Sequence, residues 1–255
     1  MVDSVTYIKE RHPEIYRNMK YKIVEISASL AKSQRKRAKQ EGLGDVVEVI
    51  NEDFFKWSGV QDSGEGSYVV ALEVFVSPGI VLSFVASDNQ DNLAHDMIRY
   101  DVKTLTPYQA VVAIDAHGDF SFLYEPCSDP LLRRYLAYQR LLPASPSTTP
   151  PLIQSSFIRS LYASLPFAPN LSKPDWIPTK AMLFLEKLRE TIPGHRLMIA
   201  DFSELPDTVE GRNGPVVQTR IGGNMIPCET ILVKQGYFDI FFPTGKPCFT
   251  FEPTS

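Results

Sequence analysis

Tyr21–Asp53 reads YKIVEISASLAKSQRKRAKQEGLGDVVEVINED, and its punctuation decides the fold class. A short apolar run, Tyr21-Lys22-Ile23-Val24, closes on Glu25. A basic, helix-like stretch follows from Ala28 to Gln40, with Ser27 or Ser29 able to cap it. After the Gly42-Leu43-Gly44 break, a second apolar run, Val46–Ile50, closes on Glu52 and Asp53. Strand, helix and strand with carboxylates at the strand ends is how open α/β sheets build nucleotide sites. Ligands there lie beyond the carboxyl ends of the strands, and an acid in that position can hold ribose hydroxyls. The stretch therefore reads as the cofactor half of the protein.

Composition narrows the remaining classes. A chain of 255 residues with 44% hydrophobic and 22% charged residues has the make-up of an ordinary globular protein with a substantial core. The formal charge of -4 argues against bulk nucleic-acid binding, which needs a net basic face. The run Gln34–Lys39 is basic but lacks interleaved aromatic residues, so it reads as a solvated helix face. Val69–Val85 is the richest apolar stretch, and Glu73, Pro78 and Gly79 break it, so no membrane span is expected. Cys127, Cys228 and Cys248 lack paired short spacing, which indicates neither a disulfide framework nor a metal site.

Outward from the central stretch, Thr6–Met19 has loosely helical spacing, with Pro13 as a kink or boundary. Ser67–Phe75 is a buried-strand candidate carrying Glu73. Val76–Gln90 has no helical period and separates that strand from Asp91-Asn92-Leu93, where a functional loop is expected. Gln109–Asp115 and Phe120–Tyr124 flank a hairpin-like turn containing His117, which reads as a turn residue. Asp129–Leu142 and Thr179–Ile192 are helices, and Pro143–Pro151 is a Pro/Ser/Thr loop inside one domain spanning residues 1–255. His195–Phe202 is a strand ending near Asp201. Pro215–Ile221, Glu229–Lys234 and Tyr237–Pro243 read as further strands, an antiparallel edge on a mostly parallel sheet. No Gly-x-Gly-x-x-Gly precedes a helix, which disfavours a dinucleotide-dependent dehydrogenase.

Tyr21–Ser27 with Leu30 and Gln34 resembles the second-strand signature of the MidA-like S-adenosylmethionine-dependent methyltransferases. Ala71–Phe75, read on to Asp91-Asn92-Leu93, is similar to that family's fourth-strand signature Asn-Glu-x-x-Asp-x-x-Pro, with Leu72 in place of the Asn and Ala94 near the Pro. Pro215–Arg220 and Gln235–Thr244 look like a fungal-type branch. The resemblance implies a Rossmann-like class I methyltransferase sheet and S-adenosyl-L-methionine as cofactor. Glu25 would hold the ribose, and Asp53 with Phe54 would border the adenine. Glu73 would face the acceptor or the methionine end of the cofactor, with Asp91 as a lesser companion. It also implies protein-arginine methylation in the mitochondrion, on a respiratory complex I subunit during assembly.

The departures give further expectations. The family's first strand and glycine loop have no counterpart in the sequence, so the domain is expected to be incomplete and its activity impaired. Val76–Gln90 reads as an insertion, since deleting it restores Glu-Val-Phe-Asp-Asn-Leu in frame, and Val-Ser and Gln can be encoded by intron-like ends. Residues 245–255 read as an atypical tail of similar origin. The alternative function is that of a non-catalytic, methyltransferase-like interaction protein or an inactive truncated product.

Overall fold

The computed structural model describes residues 2–59, 69–73, 94–141, 155–192, 196–200, 205–234 and 236–243. Val76–Gln90, Asp91, Pro143–Pro151, Asp201 and 245–255 lie outside the described residues. The chain divides into two compact units, Met1–Asn92 with Leu183–Phe202, and Leu93–Met182 with Ser203–Ser255.

In the first unit, α1 (Val2–Arg11) and α2 (Pro13–Asn18) meet at His12, because Pro13 has no amide hydrogen to continue the first helix and suits the start of the second. Strand β1 (Tyr21–Val24) leads into α3 (Ala28–Gln40), and β2 (Val47–Ile50) returns parallel to β1, pairing Tyr21 with Val47 and Val24 with Ile50. Ser27 caps α3, its hydroxyl accepting from the Leu30 amide at 3.4 Å. Val5, Tyr21, Ile23 and Leu43 form the core here, so the break at residues 42–44 also supplies an apolar anchor. A second parallel pair joins β3 (Val69–Glu73) to β8 (Arg196–Ala200). Gly59, at a φ of +88°, passes so close to helix α6 (Thr179–Thr191) that a Cβ would stand 2.5 Å from the Thr191 carbonyl. Only glycine fits there.

The second unit is antiparallel. Strands β4 (Asp96–Tyr100), β5 (Pro107–Ile114), β6 (Phe120–Pro126) and β7 (Asp175–Ile177) form a sheet in the order β6-β5-β4-β7. Strand alternation sends Ile98 and Ile177 to one face, where Leu132, Tyr135 and Leu136 of α4 (Pro130–Leu141) cover them. It sends Met97 and Trp176 to the other, where they meet Phe242. Asp129 caps α4 by accepting from the Leu131 and Leu132 amides at 2.8 and 3.0 Å. Helix α5 (Ser156–Ala163) has no buried residue. Strands β9 (Val216–Ile221), β10 (Asn224–Cys228) and β11 (Asp239–Phe241) make a separate sheet in the order β10-β9-β11.

Two sequence expectations are corrected here. Among the described residues the antiparallel strands pair in two sheets of their own and with none of the parallel strands, and the parallel pairing is that of β1–β2 and β3–β8. Short hairpin connections between β5 and β6 and between β9 and β10 pair these strands with their sequence neighbours. The partner of β9 after the glycine turn is Asn224–Cys228, and Glu229–Lys234 is irregular. Gly222 and Gly223, at φ of +58° and +89°, make a two-residue turn, so the returning strand starts at once.

Asp175 lies buried on β7 and takes a two-pronged contact from Arg212, with Nε 2.7 Å from Oδ1 and Nη2 on Oδ2. Burial pushes the Asp175 carboxyl up, with the guanidinium's hydrogen bonds and charge opposing that rise. Arg212 stays charged: its pKa lies above the ordinary value because the contacts with Asp175 outweigh burial. Burial first, then the charge of Asp175, pushes the Tyr100 phenol up to about 12.

Removing one member of a buried pair strands the other, so Arg212→Met should cost roughly 3 kcal/mol in urea unfolding, and the double change Arg212→Met with Asp175→Leu less than that. For Tyr100, both states are protonated below the ordinary tyrosine pKa. Between there and about 12 the unfolded chain loses its proton while the folded one keeps it. Stability should therefore fall with rising pH across that window, and the wild-type fall should be steeper than that of Tyr100→Phe; equal slopes in the two proteins would refute the assignment.

Candidate functional site

Parallel pairing of β1 and β2 brings their carboxyl ends to one edge, and the acids foreseen from the sequence stand there. Glu25 continues the ladder beyond β1: its amide donates to Ile50 at 2.8 Å, and its carbonyl accepts from Glu52 at 3.1 Å. The Glu25 side chain is fully buried. Oε1 accepts from the Ser27 amide at 2.9 Å, and Oε2 from Gln34 Nε2 at 3.4 Å. The carboxylate thus sits beneath the first turn of α3, where the partial positive charge of a helix N-terminus favours an anion.

Asn51 holds the same loop from below. Its Nδ2 donates to the carbonyls of Glu25 at 2.8 Å and Ile26 at 3.0 Å, fixing the turn that leads from strand to helix. Asn51 is not singled out by the sequence pattern; its one signal is a carboxamide at a strand end followed by two acids. Among the described residues Gln34 Oε1 is buried without a hydrogen-bond partner, beside the amide group that reaches Glu25.

Asp53 begins the turn after β2. Oδ1 accepts from the Phe55 amide at 2.9 Å, and Oδ2 is 4.0 Å from Lys56 Nζ. The side chain keeps 28% of its surface exposed, so this carboxylate remains open to a further donor. Phe54 is buried in an aromatic cluster, with ring centroids 6.0 Å from Trp57 and 5.2 Å from Phe184. It supports the Asp53 turn from inside and presents no open ring face. Glu73 is the last residue of β3, at the carboxyl end of the other parallel pair. Asp91 lies outside the described residues. The structure thus brings Glu25, Asp53 and Phe54 to one edge.

A nucleoside, whose hydroxyl and amino groups donate, fits these acceptors in part. Each ionised carboxylate oxygen can accept two hydrogen bonds, so the partly exposed Asp53 carboxylate retains capacity for hydroxyl or amino donors. Asp53 can be reached as it stands. Glu25 can be reached only by moving a neighbour that now covers it. Among the described residues, no group of three or more His, Cys, Asp or Glu could hold a metal ion, and no helix is long and apolar enough to cross a membrane.

A parallel strand pair with a capped helix between its strands and acids at its carboxyl ends is an arrangement in which open α/β sheets place their ligands. Residues 1–250 match the family described as "Putative S-adenosyl-L-methionine-dependent methyltransferase", and the chain belongs to that family. Its cofactor is S-adenosyl-L-methionine. No curated protein matches the chain.

Asn51→Ala should lose about 1–2 kcal/mol in urea unfolding, since two backbone carbonyls lose their donor. Asn51→Asp should cost more, because it turns a carboxylate against the same two carbonyls. An Asn51→Asp protein as stable as wild type would show that Asn51 does not hold the turn.

Proposed function

We propose that this chain is a protein-arginine methyltransferase of the complex I assembly type, acting in the mitochondrion on a respiratory complex I subunit. The observation that carries the cofactor half of this reading is the shared edge of β1 and β2, with Glu25 and Asp53 on it, in a chain of a methyltransferase family. The acceptor half is supported by the resemblance of Ala71–Phe75 and Asp91-Asn92-Leu93 to the family's fourth-strand signature and of the carboxy-terminal motifs to its fungal branch. A Rossmann-like order of the parallel strands belongs to the same reading.

The bound cofactor supplies an electrophilic methyl group on a sulfonium. Glu25 holds the ribose hydroxyls once Gln34 swings aside, Asp53 accepts from the adenine amino group, and Phe54 keeps the Asp53 turn rigid. Glu73, with Asp91, pairs with the acceptor guanidinium and orients one nitrogen toward the methyl carbon. Since the chemistry asks mainly for alignment, this positioning supplies most of the effect.

A second reading has its own support. Glu25 is fully buried with both oxygens engaged, as expected of a carboxylate kept to hold α3, in a non-catalytic, methyltransferase-like interaction protein. Calorimetric titration with S-adenosyl-L-methionine separates the two. The enzyme reading expects a Kd of about 1–100 μM, weakened at least ~10-fold by Glu25→Gln and by Asp53→Asn. No heat up to ~1 mM cofactor would leave only the non-catalytic reading. If the cofactor binds, labelled methyl transfer to mitochondrial extract, followed by amino-acid analysis, should place the label on arginine of a complex I subunit; label elsewhere would remove the acceptor assignment.

A further inference from the structure

Strand β6 is the outer strand of the four-stranded sheet, and among the described residues nothing pairs with its free edge. Asp115 donates to the Asp119 carbonyl, and Cys127 to that of Pro107, so odd-numbered residues of β6 face β5. The amides and carbonyls of Phe120, Phe122 and Tyr124, with the Pro126 carbonyl, therefore point outward.

The other edges of this unit are guarded. The β7 edge is covered by the loop at Arg212, whose carbonyl accepts from the Trp176 amide at 3.0 Å. Strand β10 carries Pro227, and β11 has only three residues. In the first unit, Arg35 covers the outward Val49 carbonyl of β2, with Nη2 at 2.8 Å. Strand β6 has no Lys or Arg, no bulge along its seven paired residues, and a proline only at its end. Its surroundings are apolar on both faces: Leu123 is 59% exposed and Val111 39% on one, and Ile114 is 65%, Val112 48% and Phe120 45% on the other. A seven-residue, apolar edge left open is a template for another strand.

We propose that the partner of this edge is a second copy of the same chain, joined by antiparallel β6–β6 pairing about a two-fold axis. An antiparallel edge strand is complementary to itself, so one surface serves both protomers. Overlap and charge together select the register: an axis through Leu123 pairs the whole of Phe120–Pro126 with its copy. An axis through Phe122 would set Asp119 opposite Glu125 of the partner subunit, two like-charge pairs, which destabilises. An axis through Leu123 sets Ser121 opposite the partner's Glu125 and Phe122 opposite the partner's Tyr124, and the two Leu123 side chains meet on the axis. Phe120 then donates to the carbonyl of the partner's Pro126, and the return bond to the Phe120 carbonyl is not made, because proline has no amide hydrogen. The pairing makes one eight-stranded sheet and covers the exposed apolar side chains nearest the β6 edge.

The register makes the test specific. Opposed residues at such a pair have Cβ atoms about 4.5–5.5 Å apart, close enough for a cysteine pair to bridge after a small adjustment, whereas the two Ser121 positions would lie about 13 Å apart. Leu123→Cys should form a disulfide dimer under mild oxidant, while Ser121→Cys and the wild type should not. By sedimentation, the wild type should be dimeric at ~50 μM, and Leu123→Lys should weaken the dimer at least ~10-fold. A monomeric or open-ended wild type, a dimer unmoved by Leu123→Lys, or cross-linking of Ser121→Cys as readily as Leu123→Cys would each overturn the proposal. Both cysteine positions are exposed, so neither substitution threatens the fold.

Discussion

A carboxylate withdrawn from water costs several kcal/mol unless its oxygens find donors, and the first unit is arranged so that Glu25 finds them. The Ser27 amide and the Gln34 carboxamide supply two hydrogen bonds, and the helix that brings both is α3. Conversely, α3 starts where it does because Ser27 caps it and the acid lies under its first turn. Strand end, cap and helix are thus mutually dependent. Asn51 extends the arrangement to β2 by holding the carbonyls of Glu25 and Ile26, so the loop that carries the acid is pinned from both strands.

That dependence explains how much of the site could be read in advance. Apolar runs closing on acids, with a basic segment between them, fix strand–helix–strand and the edge on which Glu25 and Asp53 fall. The engagement of Glu25 by Gln34 spans nine residues and depends on a rotamer that no spacing rule specifies. The burial of Phe54 is likewise set by Trp57 and by Phe184, which lies far along the chain. Sequence therefore located the acids and left their accessibility open.

The second unit was harder to read. Strand β7 has three residues between Pro174 and Pro178, too short for alternation to register, yet Trp176 and Ile177 are nearly inaccessible and serve opposite faces of the sheet. The Asp175–Arg212 contact joins residues 37 positions apart, so its partnership exists only in the fold. The β5–β6 hairpin was legible because turn residues and apolar alternation coincide there. The strand after Gly222-Gly223 was displaced in the reading because Pro227 interrupts a segment that pairs nonetheless, being on an edge.

The two buried acids are treated differently, and the difference bears on what each can do. Asp175 is gripped by a guanidinium in two-pronged geometry, a partner that cannot give up its charge and fills both oxygens along one plane. Such a pair holds loop 205–215 against β7, as the Trp176 amide bonding to the Arg212 carbonyl also does. Two of the donors on Glu25 are neutral groups, the Ser27 amide and the Gln34 carboxamide. Exchanging the carboxamide for a ligand hydroxyl replaces one neutral donor by another and leaves the helix cap in place.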